Sequence, residues 1–329
     1  MALRLKHNPL STLPTLVFGD SGPCSRAPAG IKFFQENQKL VLVVVLLLLQ
    51  FALPPGEASE AQSEALVESG KGATIRQHAP DARDIKVVSY NIRWRGGDEL
   101  RRLAKLLYED PQIGGAAILG LQEVDRHKKR TGNSNTVKAL ADELGLHYAW
   151  AAPPAAKPED EEETGVAIMS VYPLLDVKGI VLPHAGPNNR RRVALGATVE
   201  INGQKWRVYS AHAETRISFD KKLEQYNALL EDLKRYPGDM PAIIMGDFNT
   251  WESNAGNKTI KLFSKAGLTT PFGSQTTFRR RVLFVPIELR LDWVWLRGLE
   301  AVTYGVDRQI EASDHWPLWT NVRPAAIKK

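Results

Sequence analysis

Side chains capable of acid–base chemistry or metal binding recur directly after short apolar segments of this 329-residue chain. A strand that buries apolar residues and ends in a carboxylate, amide or imidazole can bring distant groups to one edge of a sheet. Carboxylate and amide oxygens suit Mg²⁺ or Mn²⁺. The pattern therefore predicts an oxygen-lined divalent-metal site. The recurring groups are Asn91, Gln122, Glu123, His212, Asp247, Asn249, Asp314 and His315, whereas Asp292 begins its segment.

The composition is that of a folded, soluble body. Hydrophobic residues make up 43% of the chain and charged residues 24%, which excludes a wholly disordered, collagen-like or polytopic membrane protein. The single cysteine, Cys24, lies near the N-terminus and excludes a disulfide framework, a cysteine-bound zinc and a cysteine nucleophile in the body. The net charge of +6 permits an anionic substrate without requiring one.

The N-terminal part of the chain contains an apolar run near residues 40–53, within a predicted tail of residues 1–58. The run is short for a bilayer span of ~20 residues but suits an export signal, with an uncleaved membrane anchor as the alternative. A buried core helix is disfavoured because the run has no polar face. We predict export, a flexible linker over residues 59–84, a folded domain over 85–324 and a tail over 325–329.

From Ile85 onward, β-type runs alternate with helical patterns, which predicts an α/β or α+β fold with long loops at 155–163 and 271–286. The predicted strands are Ile85–Tyr90, Ala116–Leu121, Val166–Met169, Val193–Ile201, Trp206–Ala211, Ala242–Met245 and Asp292–Leu296. The predicted helices are Glu99–Tyr108, Thr136–Leu144, Phe219–Tyr236 and Thr259–Ala266.

Several motifs, taken in their order and spacing, resemble the endonuclease/exonuclease/phosphatase superfamily, which includes deoxyribonucleases, apurinic endonucleases, neutral sphingomyelinases and inositol polyphosphate 5-phosphatases. The similarity runs from about Lys86 to Val322, and implies a four-layered α/β sandwich of two mixed β-sheets packed face to face with helices outside. The motifs are SYNIRW, LGLQEVD, TGVAIMS, RVYSAHAE, IIMGDFNT, RLDWVW and SDHWPL.

The resemblance implies a divalent metal, Mg²⁺ or Mn²⁺, that polarises the scissile phosphate. Glu123 matches the metal-binding glutamate of the family and Asn91 its companion asparagine. Asp314 would lie near the metal. Asp125 is expected to be a structural group or a group that supports a metal ligand without binding the metal itself.

The resemblance also implies the roles of five catalytic residues. His315 matches the catalytic histidine, and Asp292 matches the aspartate that orients it. Asp247 matches the group that aligns or deprotonates the attacking water. Asn249 and His212 match groups that bind phosphate oxygens. A cation, two histidines and an amide aimed at the phosphoryl group suit the charge that develops in its transition state.

The chain departs from the family pattern at two places. Arg93 stands where many nucleases have an acidic residue, and Ala213-Glu214 follows His212 where the usual residue is leucine. Both departures bear on the choice of substrate.

Two arginine triplets, at 190–192 and 279–281, are candidates for phosphate binding because guanidinium groups bind phosphates bidentately. We predict that Arg190, Arg191 and Arg280 contact the substrate, with solvated loop charge as the alternative. Trp251 is predicted to stack on a base or to line a lipid path, with packing in the core or at the rim of the site as the alternative.

We expect an exported, metal-dependent phosphoester hydrolase, acting as a monomeric nuclease on DNA or RNA. A phospholipid or inositol phosphate hydrolase at a membrane surface is the alternative within the enzyme class. A catalytically silent polyanion-binding module is the alternative from another class. It is disfavoured because the chain retains Glu123, Asp247, Asp292 and His315.

Overall fold

The computed structural model describes residues 64–76, 83–154 and 163–326. Two mixed β-sheets form the centre of the fold. The strands are β1 (Leu66–Lys71), β2 (Ile85–Asn91), β3 (Ile118–Arg126), β4 (His147–Ala152), β5 (Glu163–Ser170), β6 (Leu175–Val181), β7 (Val193–Ile201), β8 (Gln204–His212), β9 (Ala242–Asp247), β10 (Phe278–Val282), β11 (Val285–Leu289), β12 (Asp292–Arg297), β13 (Leu299–Val306) and β14 (Leu318–Pro324). The helices are α1 (Gly97–Glu109), α2 (Thr136–Leu144), α3 (Phe219–Leu233) and α4 (Ala255–Lys265).

The larger sheet has the strand order β1-β4-β5-β3-β2-β14-β13, and the smaller has the order β12-β9-β8-β7-β6. Strands β2 and β3 run parallel, as do β8 and β9, while the other pairs in these sheets are antiparallel. Strands β10 and β11 form a separate hairpin. The predicted fold class, an α/β sandwich of two mixed sheets, is confirmed.

The two sheets pack against each other through closely fitting inner faces. A side chain at Gly120 on β3 would come within 2.7 Å of Met245 on β9, so glycine allows the close approach. Gln122 Nε2 donates across the interface to Ser210 Oγ at 3.1 Å, and that hydroxyl donates to the Leu121 carbonyl. These two bonds give the buried Gln122 amide nitrogen and the Ser210 hydroxyl their partners and link β3 to β8 across the sandwich.

The outer face of the smaller sheet is covered by α3 and α4. On α3, buried residues such as Tyr226 and Leu230 recur at spacings of three and four, as an amphipathic helix requires. On α4, Phe263 stacks on Trp295 of β12 with ring centroids 4.4 Å apart. Helix α3 ends at Leu233, three residues before the predicted end, and α4 begins four residues before its prediction. Helix α2 has its predicted bounds.

The predicted linker over residues 59–84 is wrong for β1, which pairs antiparallel with β4 at the edge of the larger sheet. The strand escaped prediction because it is mostly exposed and has little apolar periodicity. Polar side-chain contacts hold β1 on the sheet, because the Glu68 carboxylate accepts hydrogen bonds from Arg126 at 2.8 Å and from Tyr148 at 2.9 Å.

The predicted loop over residues 271–286 is also wrong, because β10 and the start of β11 lie within it. The turn of this hairpin is formed by Leu283 and Phe284, both with positive φ. Turn signals such as Asn-Gly are absent there, so the sequence did not indicate a hairpin. The loop predicted at 155–163 falls almost wholly outside the described residues, as does the apolar run at 40–53.

The other strand predictions differ from the structure by up to five residues at an end, and β4, β6, β13 and β14 were not predicted. Among the helices that the structure describes, none has the length and apolar character needed to cross a bilayer.

Candidate active site

The topology brings five predicted site residues to one edge of the sandwich. Asn91, His212 and Asp247 are the last residues of β2, β8 and β9. Asp292 is the first residue of β12 and lies directly opposite Asp247 in the antiparallel pair, while His315 precedes β14, the antiparallel partner of β2. Because ends of parallel strands and starts of antiparallel strands meet at the same edge, residues more than 200 positions apart converge.

Asp247 lies at the centre of this edge. Its carboxylate accepts hydrogen bonds from Asn91 Nδ2 at 3.1 Å and from the Asn249 backbone N–H at 3.0 Å. The Nε2 atoms of His212 and His315 lie 3.5 Å and 3.7 Å from its Oδ2. Burial raises the pKa of Asp247 to about 7, against the opposing charge of His315. A carboxyl group with such a pKa can take up a proton near neutral pH.

His315 is held by a carboxylate on its far side. Its Nδ1–H donates to Asp292 Oδ2 at 2.8 Å, and the same oxygen accepts from the Thr277 hydroxyl at 2.6 Å. Burial alone would lower the pKa of His315, but the charges of Asp292 and Asp247 outweigh it and raise the pKa to about 10. The ring is therefore an imidazolium at neutral pH.

His212 has the opposite kind of partner, which sequence reasoning missed. Arg192 Nη1 donates to His212 Nδ1 at 3.2 Å, and a guanidinium offers donors only. The Nδ1 atom is therefore the acceptor, and Nε2 carries the proton on the side of Asp247. Burial, followed by the Arg192 charge, holds the pKa of His212 well below its ordinary value, so the ring is neutral.

Glu214 fixes the arginines next to His212. It is fully buried and accepts a bidentate pair from Arg190 at 2.7 and 3.1 Å, and another bond from Arg192 Nε at 3.2 Å. Burial would raise the pKa of Glu214, but the two arginines lower it. Arg190 thus binds Glu214, with half of its side chain exposed at the rim. Glu214 directly follows Ala213, which stands at the usual leucine position, so the departure from the family pattern at this place was the sequence signal for an internal partner of these arginines.

The predicted metal residues Glu123 and Asn91 are neighbours. Glu123 lies at an irregularity of β3, where the register with β5 shifts, and has a φ of 57°. Such a bulge turns a side chain out of the regular ladder. Asn91 Nδ2 lies 3.3 Å from Glu123 Oε1. Asp314, the third predicted metal residue, forms an ion pair with Arg93 at 3.2 Å, so the unexpected arginine balances that carboxylate.

The donor chemistry of the edge fits a hard divalent cation. Ligand atoms of Asp247, Asp292 and His315 all lie within 4.8 Å of one another, and Asp292 Oδ1 is buried with no hydrogen-bond partner. His315 is a poor ligand, because an imidazolium has no free lone pair. The carboxylate of Glu123 and the amide oxygen of Asn91 are the better pair for Mg²⁺ or Mn²⁺.

The remaining predicted residues lie around this centre. Asn249 has a φ of 51° and donates from Nδ2 to the Ala213 carbonyl at 3.0 Å. The buried Lys222 donates to the Asn249 carbonyl at 2.8 Å, and its ammonium lies 5.1 Å from the ring centre of the half-exposed Trp251. The structure places Arg191 partly buried beside Arg190.

Two other predicted residues make none of the contacts described above with the metal and acid–base groups. Arg280 is exposed on β10. Asp125 is buried in a bidentate pair with Arg130 at 2.7 and 2.8 Å, which is a structural arrangement.

Comparison with known proteins agrees with this architecture. The profile described as "Endonuclease/Exonuclease/phosphatase family" matches residues 88–315. A UPF0294 protein of Vibrio vulnificus (strain YJ016) is 35% identical over 121 residues, which cover 36% of this chain and 39% of the relative. The match therefore spans well under half of that relative's length.

Solved structures share the fold at low sequence identity. An endonuclease/exonuclease/phosphatase from Beutenbergia cavernae DSM 12333 superposes with a TM-score of 0.57 at 19% identity, covering 74% of this chain and 72% of that one. D. rerio TDP2 complexed with single-strand DNA product gives a TM-score of 0.58 at 18% identity, covering 74% of this chain and 100% of that one.

Proposed function

Because the chain belongs to the endonuclease/exonuclease/phosphatase family, we propose that it is a divalent-metal-dependent hydrolase that cleaves a phosphodiester by attack of water. The observation that carries the proposal is the surroundings of Asp247. A buried carboxyl group with a pKa of about 7 has the Nε2 atoms of two histidines, one cationic and one neutral, within 3.7 Å of one of its oxygens. In this set, the carboxylate can accept a proton from water, and the two histidines can donate to the oxygens of one phosphoryl group.

Asp247 accepts the proton of the attacking water. Its two oxygens are oriented by the amide of Asn91 and the backbone N–H of Asn249, so a lone pair is held in a fixed direction. Fixing the base in advance removes part of the entropic cost of the reaction.

The two histidines act on the phosphoryl group in different ways. The His315 imidazolium, oriented by Asp292, stabilises negative charge and can donate a proton to the leaving oxygen. The neutral His212 donates a hydrogen bond from Nε2 to a phosphoryl oxygen. A divalent ion held by Glu123 and Asn91 would supply Lewis-acid polarisation of the phosphate.

We infer that the first substrate class is nucleic acid. Arg190, half exposed at the rim of the site, provides a phosphate contact, and the half-exposed Trp251 beside Asn249 provides a stacking surface for a base. A phospholipid is the second candidate, which is favoured by exposed apolar side chains at the hairpin turn, Leu283 and Phe284. Export, anchoring by residues 40–53 and a monomeric state stay predictions.

The test is nicking of supercoiled plasmid by the purified full-length chain with Mg²⁺, with excess EDTA, and with the Asp247→Ala variant. Asp220→Ala is the matched control, because Asp220 is a strongly exposed carboxylate on α3. We expect nicking that requires both the metal and Asp247. Nicking that survives EDTA or Asp247→Ala would overturn the mechanism. Metal-dependent hydrolysis of phosphatidylcholine micelles without nicking would select the second substrate class. Plasmid binding that persists in EDTA without turnover would indicate a binding module.

A further inference from the structure

The turn of the β10–β11 hairpin exposes a group of large apolar side chains. Leu283 is 78% exposed, Phe284 96%, Val285 61% and Ile287 38%. The other exposed large hydrophobic residues of the described chain are scattered, namely Val67, Trp94, Tyr108, Leu175, Trp251 and Tyr304. Scattered apolar residues are ordinary on protein surfaces, but a contiguous apolar group indicates an interaction site.

The backbone of the turn adds to this indication. Leu283 and Phe284 have φ values of 46° and 73°, where side chains other than glycine, asparagine and aspartate are disfavoured. Two large apolar residues at these positions worsen the turn, and both side chains are exposed instead of being packed in the core. A sequence that keeps them there is consistent with a use for the apolar tip outside the fold.

Basic residues lie on the strand that leads to the tip. Arg279, Arg280 and Arg281 are all exposed, and they pair across the hairpin with Glu288, Ile287 and Pro286. Three arginines stand against one glutamate, so the hairpin is cationic around an apolar end. Arginine side chains at this position can bind phosphate groups while the tip enters an apolar layer.

The base of the hairpin contacts the edge of the sandwich that holds Asp247 and His315. The Phe278 ring packs edge-on to His315 at 5.0 Å between centroids, and the Arg279 N–H donates to the Asp314 carbonyl at 2.8 Å. Arg279, Arg281 and Asp314 line a common open groove together with Trp316. With five residues in each strand, the hairpin is about 17 Å long. A surface that binds the tip therefore lies at a fixed distance from the active site.

We propose that this hairpin docks the enzyme on an anionic lipid bilayer, with Leu283 and Phe284 entering the interface and the arginines binding lipid phosphates. A nucleic acid would use the arginines and leave the apolar tip in water. A protein partner would need a contact of about 800 Å² on each side, far more than a two-residue tip offers. The proposal is independent of which phosphodiester is cleaved, and its test requires no turnover.

The test uses the full-length chain with a polarity-sensitive dye at the tip. The only cysteine is Cys24, so Cys24→Ser combined with Leu283→Cys gives a single labelling site. The control carries Cys24→Ser and Leu175→Cys, because Leu175 is also exposed but lies on β6. Vesicles of phosphatidylglycerol, with and without brominated acyl chains, are the probe.

We expect a blue shift and bromine quenching of the dye at position 283 and neither change at position 175. Adding Phe284→Ser should raise the vesicle concentration for half-maximal shift by at least ~10-fold. Equal responses at 283 and 175 would overturn the proposal, because binding would then involve another part of the chain. No response at 283, or a response to single-stranded DNA in place of vesicles, would overturn it as well.

Discussion

His315 and His212 approach the same carboxylate oxygen of Asp247, yet their environments are opposite. Both rings are buried and present Nε2 to Asp247 at similar distances, 3.7 and 3.5 Å. On the far nitrogen, His315 meets a carboxylate and His212 meets a guanidinium. The second partner of each histidine therefore decides its charge and its tautomer, and with them its chemical role.

The largest effect is expected on the His315 side. Asp292→Asn removes the charge that keeps His315 protonated and allows the wrong tautomer, so kcat should fall by ~10²–10⁴-fold. Steady-state kinetics on the cleaved phosphodiester measure this, with circular dichroism as the check on folding. A folded Asp292→Asn variant with ordinary kcat would contradict the assignment of His315.

On the other side, His212→Ala removes one neutral donor to the phosphoryl group. We expect kcat to fall by ~10²–10³-fold, the range for loss of a single transition-state hydrogen bond. His212→Gln should recover part of the rate, because its amide also offers a neutral N–H donor. Equal loss in both variants would argue against a donor role.

A smaller effect should follow from Arg192→Gln, which keeps a donor near His212 but removes the charge. We expect a loss of ~10-fold in kcat. Because the charge of Arg192 contributes to the low pKa of His212, this variant should also protonate His212 at higher pH. Nitrogen NMR of the imidazole follows both effects. An unchanged His212 spectrum would remove Arg192 from the positioning role.

The smallest effect concerns stability and Glu214. Glu214→Gln leaves two arginines without their anion and should lower the free energy of unfolding by ~1–3 kcal/mol at neutral pH. The folded-state pKa of Glu214 lies below its ordinary value of 4.5, so its stabilisation is complete above that value and is lost as the pH falls below it. Urea unfolding at about pH 7 and about pH 4 measures the difference. If the difference in free energy of unfolding between the wild type and Glu214→Gln does not shrink at the lower pH, the expected pH dependence is wrong.

The convergence of polar residues at one edge of the sandwich was largely visible in the sequence because these residues adjoin apolar strands. Asn91, His212 and Asp247 each end a buried run, and local hydrophobicity reveals such runs. Arg192 was not predicted as a partner because its contact depends on pairing between β7 and β8. That pairing opposes Ala194 to Ala211, which brings residues before β7 alongside those after β8.

The hairpin and β1 escaped prediction for a different physical reason. Their side chains are mostly exposed, so burial imposes no pattern on them. Backbone pairing with β4 and the polar contacts of Glu68 hold β1 in place, and neither leaves a periodic signal in the sequence.

The position of β1 also matters for how the domain behaves in solution. A shortened chain starting at Ile85 would lack β1 and leave the outer edge of β4 without its hydrogen-bonding neighbour. An unpaired edge of this kind recruits strands from other molecules, so such a chain would tend to self-associate and precipitate. Recombinant versions of the folded domain should therefore begin ahead of Leu66, so that β1 is present and pairs with the edge of β4.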